Sequence, residues 1–389
     1  MSKHRIQKLQ EMMRADNISA AIIIQPRDLY YYTGTSQPCN LVVPHTGDPV
    51  LFVRRAEDFV RTETWIEDVQ TGGSPKQLLK SLHEMGISSG VLGIEGDIVV
   101  ANLYLKLRDA FSDYSLKDIS PLVLTQRMIK EPGEIELVKG ASHRFDLAHE
   151  TILRTLRPGM SEVELGGRLA EVLFAHETEQ VLFIRRWDDW LQPAGTIVSG
   201  ENLYQISGHA MTVTGVGLSP AMPWGPSSRR FKKGDLVVVD NPLNYRGYHS
   251  DNTRTYVVGK ASNRQKEVYG AVRELQDYAL AQIRPGIWID EVYRLVIRKV
   301  TELGYEEYFQ GYGKQRGQYL GHGVGLELDE LPVLSGRTHL KFEKNMVLAV
   351  ECKFIIPDFG AVFLEDTVVI EEKGCQILSS SERDLFEVG

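Results

Sequence analysis

The sequence predicts an α/β protein, with helices and strands mixed along the chain (α+β), that is divided into two domains. Its 389 residues are enough to form two hydrophobic cores. An apolar fraction of 42% with 25% charged residues is the ordinary composition of a globular protein. Short apolar runs of strand length alternate with segments of helical periodicity. We place the boundary near Thr125, which gives a first domain of residues 1–125 and a second of residues 126–389.

The overall composition argues against several classes of protein. The formal net charge of −8 leaves no basic surface for nucleic acid. The longest apolar runs are only of strand length, so we expect no membrane span, and the charged amino-terminal segment lacks the apolar core of a signal peptide. The three cysteines, Cys39, Cys352 and Cys375, show no paired spacing, which is typical of a protein of the reducing cytoplasm.

The first domain is predicted to open with a helix and to continue with buried strands. Residues 4–16 carry apolar side chains at helical spacing. The apolar run at 18–24 predicts a buried strand, and further strands are expected at 49–53 and 91–95, each after a glycine-containing break. Helical patterns lie between and after these strands, so we expect a mixed α/β unit.

A long helix is expected to open the second domain. Pro132 occupies a plausible first helical position, and Pro158-Gly159 is a stop signal. A capping box that begins at Ser161 predicts another helix, which ends near His176. Beyond it the pattern changes to strands, with a loop-rich stretch at 200–231 that is rich in glycine and proline.

A carboxylate at the end of a buried strand is the first sign of chemistry. Residues 236–239 are consecutive apolar residues that lead directly into Asp240, and Asp251 follows beyond a polar turn. Burying an ionised group without compensation is costly. Asp240 is therefore solvated at the end of the sheet, paired with a cation, or bound to a metal ion.

The same pattern recurs downstream and favours the third alternative. Glu351 and Glu365 each stand at the predicted end of an apolar strand, and His322 lies between two glycines that allow close approach of the backbone. If these side chains converge with the two aspartates, their formal charge of about −4 would be matched by two divalent cations. Carboxylate-rich ligation with one imidazole suits Mn, Co, Zn or Fe.

These motifs resemble the superfamily of creatinase, prolidase and aminopeptidase P. The resemblance rests on the run from Asp240 to Thr255, on Gly321–Gly323, on Glu351 and on the Glu365–Thr367 segment. The resemblance extends over nearly the whole chain. The order and spacing of the motifs make it a more specific signal than any single motif. It implies a creatinase-like α/β amino-terminal domain followed by a pita-bread catalytic domain.

The resemblance also implies an activity and a role for each ligand. Asp251 and Glu365 would bridge two divalent metal ions, Asp240 would bind one ion, and His322 and Glu351 would complete the other. The implied enzyme is an Xaa-Pro aminopeptidase or dipeptidase, which releases an N-terminal residue from a short proline-containing peptide. Glu351 would also carry a proton to the leaving group. A homodimer is implied as well.

The chain departs from the superfamily at two positions outside the ligand set. Trp224 replaces the His of a Pro-His-Gly motif, and Asp329 replaces a His that normally follows the ligand His by seven residues. In the peptidases these imidazoles are thought to position the substrate carbonyl and to stabilise the tetrahedral intermediate. Trp224 offers one indole N–H, whereas an ionised Asp329 only accepts hydrogen bonds. Alternatively, Asp329 is a surface residue of an acidic turn.

We therefore predict catalytic roles for Glu351, Asp329 and Trp224, and substrate contacts for His209 and Arg337. The leading hypothesis is a dinuclear metallohydrolase of the Xaa-Pro peptidase type. A second hypothesis keeps the metal ions but makes the protein a lyase or an amidohydrolase that acts on a small molecule, with Asp329 as the base. A binding protein without catalysis is disfavoured, because all five ligands are present.

Overall fold

A computed structural model describes residues 3–185, 195–206 and 213–389 of the chain. The chain divides into two compact units between Arg127 and Met128. Both units combine helices with a β-sheet, which confirms the predicted fold class. None of the helices within the described ranges has both the length and the apolar character needed to cross a lipid bilayer.

The first unit is built on a six-stranded sheet. Its strands are β1 (Ala20–Ile23), β2 (Cys39–Pro44), β3 (Val50–Val53), β4 (Val69–Thr71), β5 (Gly90–Ile94) and β6 (Tyr114–Asp118). Its helices are α1 (Lys3–Ala15), α2 (Pro26–Thr33), α3 (Glu57–Glu63), α4 (Pro75–Glu84), α5 (Ala101–Ala110) and α6 (Ser120–Met128). The spatial order of the strands is β4-β3-β2-β1-β5-β6.

The elements of the first unit pack where the sequence pattern places apolar side chains. The predicted helix at 4–16 and the three predicted strands are present as α1, β1, β3 and β5. Ile22 of β1 and Phe52 of β3 are buried in one cluster with Leu82 of α4. A capping box between Ser74 and Gln77 fixes the start of α4.

The second unit contains the larger sheet. Its helices are α7 (Pro132–Thr155), α8 (Glu162–Ala175), α9 (Asn263–Gln282) and α10 (Ile289–Leu303). Its strands are β7 (Thr196–Ser199), β8 (Leu236–Asp240), β9 (Leu243–Tyr245), β10 (Tyr248–Ser250), β11 (Thr253–Val258), β12 (Gly321–Gly323), β13 (Glu330–Leu334), β14 (Val347–Ile356), β15 (Gly360–Ile370), β16 (Cys375–Ile377) and β17 (Phe386–Val388). The bounds of α7 and α8 confirm the two helices predicted from Pro132 and from the capping box.

Seven strands form the path of the larger sheet, in the order β13-β12-β14-β15-β11-β8-β7. Neighbours along this path are antiparallel, and β9 and β10 form a separate hairpin. Helices cover both faces: on β8, Leu236 and Val238 pack in the cluster of α9 and α10, whereas Val237 and Val239 pack in the cluster of α7 and α8. Burial on both faces explains the continuous apolar run of β8.

Two carboxylates lie at a different place in their strands than predicted. We expected Glu351 and Glu365 at strand ends, but each lies in the middle of its strand, in β14 and in β15. The prediction was wrong because these strands pair with each other from Val347 opposite Val369 to Ile356 opposite Gly360. A ladder of this length keeps its backbone hydrogen bonds whether or not a side chain is polar.

Candidate metal centre

Four adjacent strands bring polar side chains into one row across the larger sheet. Asp240 of β8 lies opposite Thr253 of β11, and Thr253 lies opposite Glu365 of β15. Glu365 in turn lies opposite Glu351 of β14. Residues directly opposite each other in a sheet point to the same face. The row therefore places three carboxylates and one hydroxyl group side by side.

Asp251 and His322 complete the cluster from neighbouring segments. Asp251 directly follows β10, and His322 lies on β12, which pairs with β14. One ligand atom from each of Asp251, His322 and Glu365 lies within 4.8 Å of the other two. Nε2 of His322 is 3.8 Å from Oδ2 of Asp251 and 3.7 Å from Oε1 of Glu351. The structure thus brings the five predicted ligands into one place.

Close strand packing explains the glycines on either side of His322. A Cβ atom on Gly321 would clash with the carbonyl oxygen of Ala349 in β14, and one on Gly323 would clash with that of Leu331 in β13. Strand β12 therefore fits between its two neighbours only because glycine flanks the imidazole on both sides.

Threonine hydroxyl groups and one buried arginine position the carboxylates. Oγ1 of Thr253 donates a hydrogen bond of 2.7 Å to Oε2 of Glu365. The backbone N–H of Asp251 donates to Oγ1 of Thr367 at 2.7 Å, and this hydroxyl donates back to the carbonyl oxygen of Asp251 at 2.6 Å. The fully buried Arg254 donates to the carbonyl oxygen of Glu365 at 2.8 Å. These contacts hold the backbone that carries the candidate ligand side chains.

The cluster carries more negative charge than its surroundings compensate. Burial raises the pKa of Asp240 to about 7, although the Lys353 ammonium opposes the shift. Burial and the neighbouring carboxylates also raise the pKa of Asp251 and of Glu365 well above the usual range. Oδ1 of Asp251 is buried and accepts no hydrogen bond from any described residue. Three buried carboxylates, the half-buried Asp240 and one imidazole, together with an unsatisfied oxygen atom, fit divalent metal ions.

Asp329 contacts the ring of the candidate ligand His322. Oδ1 of Asp329 lies 3.2 Å from Nδ1 of His322, and the carbonyl oxygen of Gly323 lies 3.0 Å from the same nitrogen. A proton on Nδ1 can be donated to either oxygen, which leaves Nε2 to bind a metal ion. Burial alone would lower the pKa of His322, but the charges on Asp329 and Glu351 raise it. The side chain of Asp329 is 48% exposed, as an acidic surface turn predicts, yet it touches the cluster.

Lys353 lies beside the cluster, although it is not among the predicted site residues. Lys353 is fully buried on β14, and its Nζ forms a short ion pair with Oε2 of Glu351. Burial alone would lower the pKa of Lys353, but Glu351 and Tyr319 outweigh this effect, so the pKa lies above its usual value. The sequence held a signal, because a lysine is rare inside an apolar strand and residues i and i+2 of a strand share a face.

The other predicted site residues make no such contacts or lie outside the described ranges. Trp224 is buried, and its Nε1 donates no hydrogen bond to any described residue. Arg337 is exposed beyond β13, and its guanidinium contacts Oε1 of Gln318 at 3.2 Å. His209 lies outside the residues that the structure describes.

Two protein families match consecutive parts of the chain. Residues 136–372 match metallopeptidase family M24, and residues 5–129 match the creatinase/prolidase N-terminal domain. Among curated proteins, the Xaa-Pro dipeptidase of Pyrococcus furiosus is 29% identical over 387 residues, which cover 99% of this chain and 100% of that protein.

Solved structures show the same fold along the full length of the chain. A prolidase from Pyrococcus horikoshii has a TM-score of 0.82 at 27% identity, over 98% of this chain and 100% of that chain. An Xaa-Pro dipeptidase from Bacillus anthracis has a TM-score of 0.85 at 25% identity, over 99% of both chains.

Proposed function

Because this chain belongs to metallopeptidase family M24, we propose that it releases the N-terminal residue from short peptides in which proline comes second. Family membership confirms the resemblance noted in the sequence and makes the protein a metal-dependent peptidase. The proline preference is supported by the names of the similar proteins, an Xaa-Pro dipeptidase and a prolidase. The observation that carries the proposal is the convergence of Asp251, His322 and Glu365 within 4.8 Å, beside Glu351.

We propose that the centre holds two divalent metal ions, of Mn, Co, Zn or Fe. The ligands would be the five predicted residues Asp240, Asp251, His322, Glu351 and Glu365. Support comes from the buried excess of carboxylates and from the unsatisfied Oδ1 of Asp251. When bound, such ions polarise a substrate carbonyl group and lower the pKa of water.

Glu351 is the proposed group for proton transfer. Its Oε1 faces the cluster, 3.7 Å from Nε2 of His322, whereas its Oε2 pairs with Lys353. A carboxylate at this position can accept a proton from water and deliver it to the leaving nitrogen of the peptide. The backbone carbonyl oxygen of Glu351 accepts a hydrogen bond of 2.6 Å from Gln310, which helps to hold the residue in place.

Trp224 and Asp329 stand at the positions of the two imidazoles that, in the related peptidases, are thought to position the substrate carbonyl and to stabilise the tetrahedral intermediate. The buried indole N–H of Trp224 has no partner among the described residues, so we propose that it donates to the substrate carbonyl oxygen. Asp329 acts as a positioning residue that holds Nδ1 of His322. The alternative of a lyase with Asp329 as its base is not favoured, because that carboxylate already faces the ring of His322 and the relatives are peptidases.

The test is a metal-dependent peptidase assay. Protein stripped with a chelator is supplied with Mn²⁺ or Co²⁺ and incubated with Xaa-Pro dipeptides, Xaa-Pro-Xaa tripeptides and matched peptides that have alanine in place of proline. We expect release of the N-terminal residue from the proline peptides only after metal is added. Failure of the metal-loaded protein to cleave any of these peptides would contradict the proposal.

We propose three further properties. The resemblance implies a homodimer, for which sedimentation at micromolar concentration is the test, and a monomer alone would refute it. Three cysteines without a disulfide agree with a cytoplasmic location. Substrate contacts by His209 and Arg337 remain predictions, and alanine substitutions that leave KM unchanged would exclude them.

A further inference from the structure

Four backbone groups flank the side chain of Glu351, and each of them has a hydrogen-bond partner. They are the carbonyl oxygen of Val350, the N–H and the carbonyl oxygen of Glu351, and the N–H of Cys352. The N–H of Glu351 donates to the carbonyl oxygen of the residue before β12 at 2.9 Å. The other three groups contact the side-chain amides of two fully buried glutamines, Gln276 and Gln310.

Gln276 reaches this part of β14 from helix α9. Its Nε2 donates to the carbonyl oxygen of Val350 at 2.7 Å, and its Oε1 accepts a hydrogen bond of 3.2 Å from the N–H of Cys352. The same Nε2 donates to Oδ2 of Asp366 in β15 at 3.2 Å. One amide therefore spans the peptide groups on both sides of Glu351 and ties them to α9 and β15.

Gln310 contacts the same stretch of β14 from the loop that precedes β12. Its Nε2 donates to the carbonyl oxygen of Glu351 at 2.6 Å, and its backbone N–H donates to that of Lys353 at 3.1 Å. The φ of Gln310 is 57°, in the left-handed region that favours glycine. A glycine would adopt this conformation more readily, but it could not supply the amide that binds the Glu351 carbonyl.

Packing and strand formation do not require these two amides. A methionine has a similar length and would fill a buried position without the cost of desolvating an amide. Strand β14 pairs with β15 from Val347 to Ile356, so the strand has its own ladder of partners. Both amides instead donate to carbonyl oxygens next to the carboxylate that we assign to proton transfer.

We propose that Gln276 and Gln310 are positioning residues for the proton transfer by Glu351. They fix the peptide groups on both sides of Glu351, so the carboxylate keeps its place while it takes a proton from water and delivers it to the leaving nitrogen. Neither amide touches the substrate, because both glutamines are 0% exposed. The inference rests on the proposed function, because it takes Glu351 as the proton-transfer group. Its consequence is that loss of either amide slows turnover without weakening the binding of peptide.

The experiment measures kcat and KM of the full chain on an Xaa-Pro dipeptide at saturating Mn²⁺, with rates expressed per folded, metal-loaded chain. Gln276→Met removes the amide on α9, and Gln310→Gly removes the amide on the loop at a backbone conformation that glycine favours. We expect kcat to fall by about tenfold or more in each variant, with KM within about twofold of the wild-type value. Slower proton transfer should also enlarge the solvent deuterium isotope effect on kcat, which a loss of stability alone would not change.

Gln265 provides a matched control on the same helix. It is 9% exposed, and its Nε2 donates to the carbonyl oxygen of Gly234 at 2.9 Å. Gln265→Met should lower the melting temperature, because it removes this bond and a capping box, and it should leave kcat and KM within about twofold of the wild-type values. A comparable fall of kcat in Gln265→Met would overturn the inference, because the loss of any buried amide would then have the same effect.

The other results also decide the question. A wild-type kcat and isotope effect in both Gln276→Met and Gln310→Gly overturn the inference and leave the proposed function standing, as does a raised KM with unchanged kcat. If Gln276→Met does not fold, Gln310→Gly decides, because glycine adopts the backbone conformation at that position without strain. A metal-loaded wild type that cleaves no peptide refutes the proposed function, and the inference fails with it.

Discussion

Both units of the protein bury carboxylates, but they differ in how many carboxylates converge at one place. In the first unit, Nη1 of Arg127 pairs with Oδ1 of Asp28 at 2.6 Å. Oε2 of Glu95 accepts two backbone N–H groups at 2.7 and 2.9 Å, while its Oε1 has no donor among the described residues. In the second unit, four carboxylates share one lysine and one histidine, and Oδ1 of Asp251 has no donor among the described residues. A buried carboxylate, even one with an unsatisfied oxygen atom, is thus compatible with a structural role, whereas four carboxylates that converge beside one histidine indicate a site for a ligand of opposite charge.

Removing a carboxylate from the second unit should give the largest effect and is the strongest test of this comparison. Asp251→Ala should abolish binding of most metal and lower kcat/KM on an Xaa-Pro substrate by about a thousandfold or more. The same substitution should raise the melting temperature of the metal-free protein, because it relieves repulsion among buried carboxylates. Elemental analysis and thermal unfolding in a chelator measure both effects. A metal content equal to that of the wild type would show that Asp251 is not a ligand.

Loss of a buried charge should destabilise the first unit, whereas loss of a carboxylate should stabilise the metal-free second unit. Arg127→Met removes the buried guanidinium that pairs with Asp28, which should destabilise the protein by about 3–5 kcal/mol. Denaturant unfolding of the metal-loaded protein measures the loss, and the metal content per folded chain serves as the control. Unchanged stability would mean that the two buried clusters do not differ as described.

Trp224 tests whether a buried, unsatisfied hydrogen-bond donor serves the substrate. Trp224→Phe removes the indole N–H and keeps an aromatic ring, so it should lower kcat by about a hundredfold where that N–H stabilises the developing oxyanion. Metal affinity should not change, because the indole is not a ligand. A variant with the kcat of the wild type would assign Trp224 to packing alone.

The smallest expected effect comes from Asp329, which positions the proposed ligand His322. Asp329→Asn removes the charge that faces Nδ1 of His322, and metal affinity should fall by about tenfold or more. The readout is the dissociation constant for Mn²⁺, which a residue of an unconnected surface turn would not alter. Full retention of metal affinity and activity would therefore identify Asp329 as a turn residue only.

The five proposed ligands could be selected from the sequence because local patterns mark them. Asp240 follows an apolar run, and His322 stands between two glycines that the close packing of β12 requires. The row across the sheet could not be predicted in the same way. It depends on the register of four strands that are far apart in the chain, and no local pattern encodes such pairing.

Other features were missed for different physical reasons. The mid-strand position of Glu351 was hidden because a carboxylate ordinarily ends an apolar run, and only the ladder with β15 shows that the strand continues. The contact between Asp329 and His322 arises from the fold of the segment that joins β12 to β13. Lys353, in contrast, was within reach of sequence reasoning, since the strand alternation that directs Cys352 away from Glu351 also directs Lys353 toward it.

The central claim is that the buried excess of carboxylates in the second unit is a metal centre. The most direct measurement is anomalous diffraction at the manganese edge from crystals grown with saturating Mn²⁺. We predict two anomalous peaks, both within ligand distance of the cluster formed by Asp240, Asp251, His322, Glu351 and Glu365. An anomalous map without a peak among these five residues would contradict the account.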